Sequence, residues 1–96
     1  MPFTILIMPE AQQAIDELAT GDVARHRKVL KTLGLMQTNL RHPGLHTHEY
    51  TSLKGPNNEK VFEAYVENNT SAAYRVFWYY GPGQGNITVF AITPHP

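Results

Sequence analysis

The hydrophobic period of this chain changes once, at His42-Pro43-Gly44. Before that point apolar residues recur at helical spacing, first Ala11, Ile15 and Leu18, then Val29, Leu33, Met36 and Leu40. Beyond it they gather in short runs, Val61 to Val66, Tyr74 to Tyr80 and Ile87 to Ile92, parted by Asn68-Asn69-Thr70-Ser71 and Gly81-Pro82-Gly83-Gln84-Gly85. Glycine- and asparagine-bearing gaps of that length between β-rich runs predict antiparallel hairpins.

The opening segment from Phe3 to Met8 is rich in β-branched residues and apolar on both alternating faces apart from Thr4, which predicts a strand covered on both sides. Pro9 and Glu10 suit the first turn of a helix running to about Ala19. Gly21 is expected to end that helix in a left-handed conformation, and Asp22 to cap a second helix over Val23 to Leu40. Gly34 inside that second helix costs ~1 kcal/mol relative to alanine, which predicts either a close backbone contact or a weak point. Leu45 to Leu53 reads as an extended loop or short edge strand. The resulting order, β-α-α-β-β-β, is an α+β two-layer fold in which a helical hairpin covers one face of a four-stranded sheet.

Ninety-six residues make one domain, spanning 1–96, with a single core. The absence of cysteine excludes a disulfide frame and thiolate metal sites, and makes a reducing cytoplasm the expected location. The first apolar run is too short to cross a bilayer and lacks the preceding basic residues of a signal peptide. A formal net charge of zero argues against generic nucleic-acid binding. The charge is unevenly spread, however: residues 1–22 hold acids only, whereas residues 23–48 hold Arg25, Arg27, Lys28, Lys31 and Arg41 with no acid. Those basic residues suit either a solvated helix face or a patch for RNA or an acidic partner.

Alternation along Tyr74 to Tyr80 places Arg75, Phe77 and Tyr79 on one face. A guanidinium standing open among rings can grip a phosphate while the rings accept bases. The competing expectation for Arg75 is a cross-strand pair with Glu63. His95 is either a proton carrier or part of a frayed tail. His46-Thr47-His48 has the spacing of a metal pair without a clear third ligand, so no metal site is assigned. The glycine-rich 81–85 segment joins two strands and precedes no helix, so it is a hairpin turn and no cofactor is implied.

Leu53-Lys54-Gly55 ahead of the first meander strand, Tyr74-Arg75-Val76-Phe77 opening the next, and an apolar last strand running into Ala91-Ile92-Thr93-Pro94-His95 together resemble the RelE/ParE superfamily, toxins of type II toxin–antitoxin pairs. The resemblance implies a helical hairpin on an antiparallel sheet. It also implies a metal-independent mRNA endoribonuclease, ribosome-associated and restrained by an antitoxin. On this resemblance Arg75 holds the phosphate, His95 is general acid or base, Lys54 adds positive charge and Glu63 can move a proton. Tyr65 and Tyr79 would stack bases, with Arg41 and Lys60 as further RNA contacts. Glu63 fits the Trp-Glu-Leu-Arg-like pattern of one branch, while Tyr65 stands where that branch has arginine. The alternatives are a non-catalytic protein-binding module and a gyrase inhibitor of the ParE-like branch.

Overall fold

A computed structural model describes residues 2–95. Its elements are β1 (Thr4–Ile7), α1 (Pro9–Gly21), α2 (Val23–Thr38), a short 3-10 turn (Pro43–Leu45), β2 (His48–Lys54), β3 (Lys60–Tyr65), β4 (Tyr74–Tyr80) and β5 (Asn86–Pro94). The α+β architecture agrees with the expected order, with one strand more than the sequence predicted. The strand order is β1-β5-β4-β3-β2. β2 to β5 form an antiparallel meander, and β1 lies parallel to β5.

The extra strand is β2, the segment read as loop or edge. It has few apolar residues because it is an edge strand with most of its positions exposed. β1 differs as well. It is the opposite edge, with Ile5 and Ile7 turned toward the core and Thr4 and Leu6 exposed, so only one of its faces is covered. The helices lie on one side of the sheet alone, and among the described residues no helix or second sheet covers the other.

Both helical stripes are buried as their spacing requires. They meet Ala64, Val76, Trp78, Ile87, Val89 and Ile92 from the sheet. Gly21 stays helical, and the hairpin is closed instead by Asp22, whose N–H donates to Leu18 O at 2.9 Å while its Oδ1 accepts from Arg25 N at 3.1 Å. One residue thus ends one helix and caps the next. α2 stops at Thr38 rather than Leu40, where Asn39 accepts the Arg41 N–H on its own side chain and offers the backbone a non-helical alternative. A Cβ at Gly34 would meet nothing within 4 Å, so no close approach accounts for that glycine. The turn between β4 and β5 does need its glycines, with Gly81, Gly83 and Gly85 all at positive φ.

Candidate active site

On β3, Phe62 and Ala64 pack toward the helices, and alternation turns Glu63 and Tyr65 to the opposite face. On β4 the same rule turns Val76 and Trp78 inward and Arg75 outward. Pairing of Tyr65 with Arg75 and of Glu63 with Phe77 makes Glu63 and Arg75 diagonal neighbours on that helix-free face. The Arg75 Nε lies 3.8 Å from Glu63 Oε1.

Two imidazoles bracket the carboxylate. His95 Nδ1 is 3.0 Å from Oε2, and His48 Nε2, from the register position opposite Glu63 on β2, is 3.0 Å from Oε1. The His95 ring is held there because its backbone N–H donates to Ala73 O at 2.8 Å, which ties the chain end to β4. His48 Nδ1 contacts His46 O at 2.8 Å, and a carbonyl accepts only, so that nitrogen carries a proton. Nε2 then faces a carboxylate oxygen of Glu63.

Glu63 is fully buried and Arg75 is 6 % exposed, beneath half-exposed His48 and His95. Arg75 was expected to stand open to the outside; instead its guanidinium lies 3.6 Å from the Tyr65 ring centre and donates to the Glu67 and Tyr74 carbonyls. Arg75 thus lies on the predicted face but covered, and it is the competing expectation, a cross-strand approach to Glu63, that the structure shows. Its Nε and Glu63 Oε1 nonetheless lack aligned hydrogen-bond partners. Two complementary buried groups thus face each other too far apart to bond directly. A hydroxyl that donates to the carboxylate and accepts from the guanidinium would satisfy both.

Tyr65 already carries the Arg75 guanidinium on its ring, and the His46 ring lies 4.9 Å away. His46 sits in the left-handed region at φ 49, which histidine visits more readily than most side chains, and this turns the chain from the 3-10 turn toward β2. The remaining sequence candidates lie elsewhere. Lys54 pairs with Lys60 at the far end of the β2–β3 hairpin, three residues or ~10 Å along β3 from Glu63. Tyr79 is buried beside Phe90 on the same face, farther along β4. Arg41 borders a cleft on the helix side. His48 is the site residue that sequence reasoning missed, although its place in a His-Thr-His alternation on an edge strand was visible.

Beside this site, Glu67 ties the helices to the sheet. Its carboxylate accepts from Arg25 Nε at 3.0 Å, Lys28 Nζ at 3.3 Å and Tyr74 N at 3.2 Å. Burial acts to raise its pKa, but the Tyr74 amide and the two cations outweigh that and hold it below the ordinary carboxylate value. Two of the basic residues of α2 are thereby engaged within the molecule. Among the described residues no cluster of three or more histidine or carboxylate groups is placed to hold a metal ion.

No family model matches the sequence, and no curated protein is significantly similar to it. Solved structures are. RelE in the archaeal RelE–RelB complex of Pyrococcus horikoshii OT3 superposes with a TM-score of 0.68 at 16% identity, over 98% of this chain and 96% of that one. A YoeB/ParE toxin from Agrobacterium tumefaciens reaches a TM-score of 0.73 at 10% identity, over 98% of this chain and all of the other. The YoeB dimer of Staphylococcus aureus gives 0.66 at 13% identity over the full length of both chains. The chain has the fold of RelE/ParE-type toxins.

Proposed function

We propose that this chain, built on the RelE/ParE toxin fold, is the toxin of a toxin–antitoxin pair and cleaves messenger RNA without a metal. The supporting observation is a carboxylate, Glu63, with a guanidinium 3.8 Å from one of its oxygens and a terminal imidazole 3.0 Å from the other, on the helix-free face of the sheet. Glu63 takes the proton from a ribose 2′-hydroxyl, whose oxygen attacks the adjacent phosphorus. The bond from phosphorus to the 5′-oxygen breaks, His95 in its doubly protonated form gives that oxygen a proton, and a 2′,3′-cyclic phosphate remains. Arg75 offsets the charge that develops on the phosphate. Access requires rotation of His48 or His95, both about half exposed. Lys54 and Lys60 act from the hairpin end only as long-range attraction for the RNA backbone. The partner is an antitoxin with an extended segment that orders on contact, as the complexes of RelE with RelB and YoeB with YefM suggest.

The test is a translating extract charged with a defined message. Wild type should yield fragments ending in cyclic phosphate, and Glu63→Gln or His95→Gln should lower the cleavage rate by about 100-fold or more while circular dichroism shows a native fold. Equal cleavage by wild type and both variants would sink the nuclease reading. The burial of Arg75 favours a second reading, a sheet face that binds a protein and performs no chemistry. In that case induction in a host without the antitoxin arrests growth equally for wild type and Glu63→Gln, with the message intact.

A further inference from the structure

The helix hairpin covers the sheet as far as the Ala64–Tyr65 end of β3, leaving the Phe62 position of β3 open next to the segment that leaves α2. A cleft of about 760 Å³ lies there, within the size range of small-molecule sites. Four of its walls are aromatic. Phe62 stacks on Trp78 at 4.9 Å between ring centres, Tyr80 stands edge-on to both, and Phe3 closes the side at 5.9 Å from Tyr80. Tyr80 is 51 % exposed and lines the opening, which leaves part of its ring free to meet a ligand.

The one formally charged side chain lining the cleft is the Arg41 guanidinium, beside neutral Thr38, Asn39 and Thr47. Arg41 and His42 border it, and no carboxylate does. The Arg41 guanidinium has no ion pair or hydrogen bond among the described residues, its backbone alone being engaged by Asn39. His42 accepts the Gly44 N–H on Nδ1 at 3.0 Å, which leaves Nε2 as its donor even in the neutral ring. Trp78, fully buried among the lining residues, has an indole N–H with no acceptor. An orphaned buried donor calls for a partner that the protein itself does not supply.

We propose that this cleft binds a 5′-mononucleotide, its base against the rings of Tyr80 and Phe62 and its phosphate on Arg41 and the His42 Nε2–H. The site lies on the other side of the sheet from Glu63 and stands whether or not the chain cleaves RNA. A planar aromatic group answers the ring cluster, an anion answers the unopposed Arg41 guanidinium and the His42 Nε2–H, and a base with acceptor atoms answers the indole donor. An apolar ligand would leave Arg41 unused, and a simple anion would leave the rings unused.

The chain has a single tryptophan, so its indole N–H gives one resolved resonance that reports on the cleft directly. Titration of the whole chain with AMP and with UMP should shift that resonance saturably. Arg41→Ala and Tyr80→Ala should each weaken binding at least ten-fold, and Glu63→Gln should leave it unchanged. Adenosine and ribose 5-phosphate, each carrying half of the ligand, should bind at least ten-fold more weakly than AMP. A short single-stranded RNA separates the sources. Competition between that strand and AMP, with the same loss in Arg41→Ala, would assign the site to a nucleotide within a chain as well as a free one. The proposal falls if neither nucleotide moves the indole resonance at millimolar concentration. It falls equally if the shift survives Arg41→Ala and Tyr80→Ala, which would place the ligand elsewhere.

Discussion

The two faces of β4 are buried almost equally but by different means. Val76 and Trp78 are wholly covered, Trp78 at the sheet surface beneath the helices, within one apolar cluster fed by α1 and α2. Arg75 and Phe77 are 6 % and 3 % exposed on the opposite side, where no helix lies. Their cover is made of side chains: Tyr65 and the two histidines over Arg75 and Glu63, and Tyr50 and Phe90 beside Phe77. Cover by secondary structure is rigid, because moving it breaks packed backbone. Cover by half-exposed imidazoles yields to a rotamer change. The comparison explains why the charged Arg75 sits on the face whose cover is made of side chains, where it can be partnered by Glu63, rather than on the face packed beneath the helices.

The sharpest way to break the contrast is on the helix side. Trp78→Ala should cost about 3–5 kcal/mol, read as a fall in the urea midpoint, because a large cavity opens where nothing can collapse into it. A loss below ~1 kcal/mol would show that the helix layer relaxes freely. On the other face, Glu63→Leu should cost about 3 kcal/mol by leaving the Arg75 charge buried with a reduced set of partners. The paired change Glu63→Leu with Arg75→Leu should recover most of that loss, and a double variant as unstable as the single one would show that the face is held by shape rather than by charge.

Glu67 joins the two regions, since its carboxylate takes donors from α2 and its backbone carbonyl receives Arg75. Glu67→Ala should cost about 2 kcal/mol at neutral pH through lost charged hydrogen bonds. Its pKa is depressed in the folded chain, so its contribution is fully present above the ordinary value of 4.5 and is lost as pH falls through the lower folded value. Acid titration of stability should therefore be shallower in Glu67→Gln than in wild type, and identical acid limbs would refute the assignment. The smallest effect has the opposite sign. Gly34→Ala should stabilise the helix layer by up to ~1 kcal/mol, since the added methyl meets open space, without altering the Glu63 face. Destabilisation would mean that Gly34 serves a packing role the structure does not show.

Much of the scaffold was legible before any coordinates. The two helical stripes, the three β-rich runs and the glycine-rich hairpin are all where their periods put them, because each is a local pattern that any burying surface will select. β2 stayed undecided between loop and short edge strand because an exposed edge strand carries no apolar signature. β1 looked doubly covered because its composition records strand preference and not the number of layers above it. The tail was read as either frayed or functional, and it is not frayed at His95, which the Ala73 carbonyl and Glu63 fasten from positions far away in sequence.

Residue types, face assignments and the helix-then-sheet order follow from the linear chain alone, since alternation and 3.6-residue spacing need only nearest neighbours. Which of those residues meet was decided by strand register. Glu63 touches Arg75 because β3 and β4 pair where they do, and it touches His48 and His95 because an edge strand and a chain end close over it. No local pattern encodes such a meeting; the free energy that selects it is gathered over the whole sheet.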